Sequence, residues 1–488
     1  MAPQTAHSVQ PETARIGTLA RGWIHQLVDT NSFLELDTIR VHHSSGPGMD
    51  RKRIDGDGVV SGIGRIDGRP VAVYAQDPSV MGGALGRVHA EKICRVLDAA
   101  ERDRLPVVGL VASGGARIQE GVDSLSGYGE VFRRTVALSG KVPQLTVAMS
   151  TCAGGAVYQP ALTDLVVMIR NQSRMFITGP SIVEAVTFEQ VSADELGGWQ
   201  VHARQSGLCG IVANDVSDAF DRVRTLLSYL DPGRRSVARV RDPEFALPPQ
   251  PVPLDPRKVY DVRDVVRGIV DAGSLCELYR EYARNIYTAF ARIEGVPVGI
   301  IANQPRRLGG VLDSSASRKG ARFLRLCNSF GIPVVTLVDC PGYLPGRRAE
   351  ADGITVHGAK LLHAYCEATV PRYTVVMRKS YGGAYIVLGS RSIGASAVWS
   401  WPDAEIGVMG ARGAVNLLHR RELAAASDPD AARDRLETDY RNRILDPSEA
   451  ARKGQVDAII CPTDTRRVLA LALSHSEVTP SHTPAFPF

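Results

Sequence analysis

Two distant parts of this chain carry the same succession of elements, and any fold must accommodate both copies. "RPVAVYAQD" (69–77) and "VPVGIIANQP" (296–305) each read as a β-branched, apolar strand behind a glycine turn, "IDGRP" in one and "IEGVP" in the other. A helical segment follows each, "GRVHAEKICRVLDAAERDR" (86–104) and "SRKGARFLRLCNSFG" (317–331), with apolar residues at helical spacing. Next come the strands of "LPVVGLVASGGAR" and "IPVVTLVDCPGYLPG". Gly115 aligns with Gly342 at an offset of 227, and Gly155 with Gly383 at 228. Matched strands, helices and glycine turns at nearly constant spacing predict a duplicated α/β domain. Between the copies lies 231–258, where seven prolines disfavour both helix and interior strand, so the expected halves are 1–235 and 259–488.

The glycine turns themselves point to chemistry. "TCAGGAVYQPALTD" (151–164) and "RKSYGGAYIVLGS" (378–390) each place Gly-Gly behind a strand and ahead of a segment that can start a helix. Glycine permits a tight turn with successive N–H groups facing one side and no side chain in the way. A helix beginning there adds its unpaired first N–H groups and the positive end of its dipole. Such a spot suits an oxyanion, for example the enolate formed at the α-carbon of a thioester. Gly154 and Gly155 are the expected donors in the first loop, Gly383 and Ala384 in the second. Two such holes imply two electrophilic carbonyls and hence two reactants. The duller account, glycines that only permit close packing, serves for one loop but poorly for four turns in matched order.

Composition narrows the partners. A net charge of +5 over 488 residues is small and its basic residues are scattered, so a phosphate-bearing small molecule explains them and nucleic acid is not expected. Eight widely spaced cysteines form no CxxC pair, so structural zinc and thioredoxin-like centres are not expected and the thiols read as buried and reduced. The N-terminal stretch has no apolar core for a secretory signal, and no window approaches 18 apolar residues, so a cytoplasmic protein without membrane contact is expected.

Ten ordered motifs then carry a resemblance over about residues 50–462: "GDGVVSGIGRIDGRPVAVYAQD", "GGALGRVHAEKI", "SGGARIQEGVDSLSGYGEVFRR", "CAGGAVYQPALTD", "FITGP", "ANQPRRLGGVLD", "VDCPGYLPG", "HGAKLLHAYCEATVP", "RKSYGGAYIVLGS" and "WPDAEIGVMGARGAVNLLHRR". In these the chain resembles the carboxyltransferase (β) subunit of biotin-dependent acyl-CoA carboxylases, of the propionyl-CoA and acetyl-CoA type. The resemblance implies two crotonase-like ββα-superhelix domains. It implies that the N-terminal half binds a short-chain acyl-CoA, with Gly154 and Gly155 on its enolate oxygen, and that the C-terminal half binds carboxybiotin, with Gly383 and Ala384 on the ureido carbonyl. It also implies that each site forms between the N half of one subunit and the C half of another in a homo-hexamer. Biotin and its ATP-dependent charging are expected from a partner, a biotin carboxylase/biotin carboxyl carrier subunit, because the chain has neither a grasp-type ATP site nor a lysine in an "AMKM" context. On this reading the biotin ring takes the α-proton, so no Ser/His/Asp or metal constellation is required.

Other residues have two readings each. Ser113, Gly114, Gly115, Ala116 and Arg117 form either the lining of a pantetheine channel or a tight turn with Arg117 in a salt bridge. Gly179 and Pro180 of "FITGP" are pocket wall or turn; Tyr158 and Tyr385 shape the pockets or merely pack; His357 and Lys360 touch ligand or, as the favoured reading, decorate a helix face. The resemblance places Ile386 in the wall near the acyl tail, where an aliphatic side chain favours acetyl, propionyl or butyryl groups. Departures from the family pattern are Val356 before the His of "HGAK", Ser150-Thr151 in place of Gly-Pro before "CAGG", and a head expected to lack the usual "KLTARERI" helix. Alternatives are a decarboxylase subunit acting on a malonyl-type thioester with the same residues in reverse, a biotin-independent crotonase-type hydratase or hydrolase, and a catalytically silent scaffold.

Overall fold

The computed structural model describes residues 18–50, 53–230, 240–476, 481 and 484. In the N-terminal half the strands are β1 (Leu34–Leu36), β2 (Val59–Ile66), β3 (Arg69–Gln76), β4 (Val107–Ser113), β5 (Gln144–Ala153), β6 (Leu165–Ile169), β7 (Arg174–Phe176) and β8 (Cys209–Ala213). In the C-terminal half they are β9 (Cys276–Leu278), β10 (Ile286–Ile293), β11 (Val296–Asn303), β12 (Val334–Cys340), β13 (Arg372–Tyr381), β14 (Ala397–Ser400), β15 (Glu405–Gly407) and β16 (Ala458–Ile459). Each half builds one sheet. The orders are β1-β2-β3-β4-β5-β6-β8 with β7 on β5, and β16-β14-β13-β12-β11-β10-β9 with β15 on β13. The starts of β2 and β10, β3 and β11, β4 and β12, and β5 and β13 keep the same spacing as the glycine turns, so the sequence repeat is a structural one.

Local chemistry explains the shared start of each half. β2 and β3 turn through Asp67 (φ 49°) and Gly68 (φ 74°), β10 and β11 through Glu294 (φ 49°) and Gly295 (φ 78°), the left-handed pair of a two-residue hairpin. A carboxylate caps each turn from outside: Asp29 accepts from the N–H groups of Asp67 and Gly68, and Asp271 from those of Glu294 and Gly295. β4 and β12, each paired in parallel on both sides, are buried along their whole length, as their unbroken apolar character requires. The head does carry a helix, Thr18–Leu27, contrary to the expectation from its motif. It forms because Ala20, Trp23, Ile24 and Leu27 recur on one face and are buried against the first sheet.

Helices Arg87–Asp103 and Val122–Leu138 cover one face of the first sheet, and Thr18–Leu27 and Val216–Leu230 the other. That second face does not end at the half. Its core runs on into helices Ser314–Ser329 and Ile354–Glu367 of the C-terminal half, with Tyr229 stacked on Phe290 at 5.4 Å and Phe290 tilted against Phe323 at 5.2 Å. The buried Arg322 crosses the same joint, donating from Nη2 to the carbonyls of Thr163 and Asp164, both at 3.1 Å. Residues 231–239 of the expected linker, which include the proposed boundary at 235, lie outside the described residues. From 240 to 258 the segment is strapped to the second half: Leu247 and Val252 enter its core, and the Arg378 guanidinium donates to the carbonyls of Pro253, Asp255 and Lys258. Among the described residues no helix is long and apolar enough to cross a membrane.

The repeat extends to a buried cation. Lys92 donates to the carbonyls of Gly56 and Val59, and Lys319, its counterpart in the second copy, to those of Tyr279, Tyr282 and Ile286, at 2.6–3.0 Å. Burial pulls the Lys92 ammonium down to about 8 and that of Lys319 to about 7. Each amine gathers the loop leading into the first long strand of its half. Lys319→Met removes the ammonium donor from those buried carbonyls and is expected to cost on the order of 3 kcal/mol, read as a lower thermal midpoint; an unchanged midpoint refutes the strut role. A second test concerns Asp164, whose carboxyl burial raises from 3.8 to about 7. The folded chain then binds a proton between pH 4 and 7 that the unfolded chain has released, so this group's contribution falls as pH rises through that window. Asp164→Asn should gain thermal stability relative to wild type between pH 5 and 8; a pH-independent difference rules out the titration.

Candidate functional site

Both glycine loops follow the same backbone course. Gly154 and Gly382 each have φ 59°, a left-handed conformation that lets the chain leave β5 or β13 and enter a helix at once. A 3-10 turn, Gly154–Val157, runs into helix Tyr158–Leu162 in the first half, and helix Gly382–Val387 starts directly in the second. Gly154 is a correction to the expected donor pair: its N–H bonds the Ile177 carbonyl at 3.0 Å, because β7 lies alongside the end of β5. The offset of 228 already pairs Gly155 with Gly383 and Ala156 with Ala384, and these are the positions one and two residues past the left-handed glycine in both halves.

What backs each loop differs. A Cβ on Gly155 would lie 2.9–3.1 Å from the buried ring of Tyr128, whereas one on Gly383 would lie 3.7 Å from Tyr343, ordinary contact. Tyr128 lies in the helix after β4 and Tyr343 in the loop after β12, so the two halves place an aromatic beside equivalent backbone by different routes. Both tyrosines lie inside the motifs read from the sequence, but nothing local marks them as neighbours of a loop that follows the next strand. Cys152, the cysteine nearest the first loop, is buried and its thiol is pushed up to about 12, so it is not poised as a nucleophile.

The turn after β4 meets the first glycine loop. Gly115, at φ 106°, approaches so closely that a Cβ there would sit 3.0 Å from the Ala153 carbonyl oxygen. The Ser113 hydroxyl accepts from the Gly115 N–H at 3.2 Å and lies 3.4 Å from the Tyr128 hydroxyl; Gly114 is exposed and Ala116 partly so. Arg117 follows the salt-bridge reading and does not line the surface, which corrects its place among the ligand-binding candidates. It is 1% exposed and donates to Asp57 at 2.7 Å, Glu120 at 2.6 Å and the Ala84 carbonyl at 3.1 Å. Glu120 in turn accepts from the Arg87 N–H at the start of helix Arg87–Asp103. Asp57 precedes β2 while its partner follows β4, so nothing in the local sequence marks the pair.

The remaining candidates flank the loops. Gly179 and Pro180 open helix Pro180–Thr187, two residues beyond the carbonyl that Gly154 engages. Tyr158 is exposed and packs edge-on against Phe132, and Tyr385 gives its hydroxyl to Gln455 at 3.2 Å. Ile386 is 44% exposed in helix Gly382–Val387, and Ala384 is fully buried. Exposed apolar side chains border both loops, Ile177 and Ile182 by the first and Val408 by the second. His357 is half-buried and Lys360 exposed on helix Ile354–Glu367, and the exposed Val356 occupies the departure noted there. Of the eight cysteines, all free, Cys366 and Cys461 are exposed and the other six buried. Among the described residues no group of three or more His, Cys, Asp or Glu side chains is placed to hold a metal ion.

Comparison with known proteins bears on this arrangement. The family described as carboxyl transferase domain matches residues 11–486. The chain is 50% identical over 458 residues to the propionyl-CoA carboxylase carboxyltransferase subunit of Haloferax mediterranei, covering 92% of this chain and 88% of that one. It is 44% identical over 468 residues to the methylmalonyl-CoA decarboxylase subunit alpha of Propionigenium modestum, covering 94% and 90%. A crystal structure of transcarboxylase 12S, described as a hexamer assembly with methylmalonyl-coenzyme A and methylmalonic acid bound, superposes with a TM-score of 0.89 at 46% identity, over 96% of this chain and 92% of that one.

The unequal backing of the loops gives a test. Gly155→Ala should lower turnover about 100-fold, the loss of one backbone donor, while Gly383→Ala should cost far less. Tyr128→Leu should restore part of the activity of Gly155→Ala. Equal losses at both glycines, in folded protein, refute the steric account.

Proposed function

The chain belongs to the carboxyl transferase family, and on that premise we propose how its halves divide one reaction. It is a biotin-dependent acyl-CoA carboxyltransferase of the propionyl-CoA and methylmalonyl-CoA type, with duplicated crotonase-like domains. The observation that carries the division is the repeated left-handed glycine with a helix start behind it, once in each half. The Gly155 and Ala156 N–H groups hold the enolate oxygen of the acyl-CoA, and those of Gly383 and Ala384 hold the ureido carbonyl of biotin. The exposed Gly383 fits the latter, since a planar ring can approach its backbone without meeting a side chain. Ser113 to Ala116 line the pantetheine path, Tyr158, Gly179 and Pro180 wall the acyl-CoA side, Tyr385 walls the biotin side, and Ile386 stands in the wall near the acyl tail. Arg117 holds the Ser113–Ala116 turn from beneath.

Carboxybiotin, delivered on a partner protein, supplies the carboxyl group and, after its departure, a basic ring nitrogen. The chain's own part is to hold developing negative charge on fixed backbone donors, each worth on the order of 3 to 4 kcal/mol in the transition state. Bringing two carbonyl compounds face to face provides much of the remaining acceleration. Each chain carries one loop of each kind, and exposed apolar side chains border both. A hexamer in which the N half of one subunit faces the C half of another would cover them, and the similar transcarboxylase 12S is described as a hexamer. The 44% identity to a decarboxylase subunit favours keeping the reverse direction as a second reading.

The purified chain, supplied with carboxylated biotin carrier and a panel of acyl-CoA thioesters, should carboxylate propionyl-CoA and acetyl-CoA and reject long chains. Ile386→Asp should change the ratio of kcat/KM values between these two several-fold. Uniform slowing of every substrate would remove Ile386 from the acyl wall. Carboxyl flow only from methylmalonyl-CoA to the carrier would establish the decarboxylase direction.

A further inference from the structure

Among the described residues β8 and β9 are edge strands of the two sheets, and they meet through one backbone bond, from the Tyr279 N–H to the Gly210 carbonyl at 2.8 Å. Beside that bond the edges part around a cavity of about 300 Å³, in the range of small-molecule sites. Five arginines line it against two carboxylates. Arg222 and Arg267 are each balanced on their own helix, by Asp218 at 2.9 Å and Asp264 at 3.1 Å. Arg263 forms a two-pronged pair with Glu277, at 3.1 and 2.5 Å, and Glu281 is engaged by Arg204 at 2.6 Å.

Two cations are left over, one from each half. Arg170 lies 4.4 Å above the Trp199 ring, bonds the Asn214 side-chain oxygen at 3.2 Å, and comes only within 3.9 Å of Glu281. Arg280 comes only within 3.7 Å of Glu277. Both distances exceed hydrogen-bond length, and both carboxylates already have a closer arginine. A guanidinium fork matches an oxyanion with several equivalent oxygens better than it matches a halide.

We propose that this cavity binds a phosphate dianion, held between Arg170 and Arg280 so that it ties the two halves across their joint. The phosphate can be free inorganic phosphate or the head of a phosphate monoester, since a cavity of this size admits either. The site is separate from the glycine loops and adds an anion-dependent link between the halves that transfer itself does not require.

Equilibrium dialysis of the intact protein against radiolabelled inorganic phosphate, at constant ionic strength in chloride, tests this. One saturable site per chain is expected, weakened at least tenfold in Arg280→Gln, whose side chain is 75% exposed and outside the transfer machinery. The KM for acyl-CoA should be the same in that variant as in wild type. Ribose 5-phosphate that displaces phosphate at lower concentration identifies a monoester as the ligand, and failure to displace identifies the free ion. No saturable binding, binding undiminished in Arg280→Gln, or displacement by equimolar chloride overturns the proposal.

Discussion

A strand must end and a helix begin with almost no chain between them, and the backbone can do so here only through a left-handed residue. Gly154 and Gly382 fill that position at the same φ of 59°. From it follows the placing of the next two N–H groups, at the mouth of a helix and free of any Cβ in the case of Gly155 and Gly383. The sheet order follows as well: β7 and β15 lie along the far ends of β5 and β13, beside the turn. β4 and β12, the neighbours of β5 and β13, are buried along their whole length because each is paired in parallel on both sides.

Much of this was legible. The alternation of strand and helix, the Asp-Gly and Glu-Gly hairpins and the constant offset gave the duplicated α/β architecture without a structure. The offset also matches Gly155 with Gly383, the register on which the proposed donor pairs rest, whereas the Gly-Gly spelling of the first loop points one residue earlier, to a Gly154 N–H that the Ile177 carbonyl already engages. What was not legible depends on partners remote in sequence. The Gly154 N–H is engaged by the Ile177 carbonyl just past β7, Arg117 by a carboxylate ahead of β2, and the two backing tyrosines reach their glycines from different elements. The head helix was missed because its motif departs from the family spelling while its apolar spacing is intact.

Charge inside the fold is handled in two ways. Lys92 and Lys319 are surrounded by carbonyl oxygens, so each ammonium organises a loop without a counter-charge in direct contact. Arg117 and Arg378 meet buried carboxylates, Asp57 and Asp339, and each also donates to backbone carbonyls. In both cases removing one partner exposes the cost of burying the other, so these groups fix geometry more than they add stability. The turn over Arg117 and the strap over Arg378 inherit that rigidity.

The continuous core has a consequence for how the chain is made. Tyr229 and its helix Val216–Leu230 belong to the first half, yet Tyr229 packs on Phe290, lies under the Arg292 guanidinium and bonds the Ser274 carbonyl, all in the second half. During synthesis the first half leaves the ribosome with that side of Tyr229 bare. At about 5–20 residues per second, the remaining 258 residues, counted from 231 to 488, take on the order of 13 to 50 s to appear. For that interval the nascent chain presents an unfinished apolar face, a natural place for a chaperone to hold until the second half arrives.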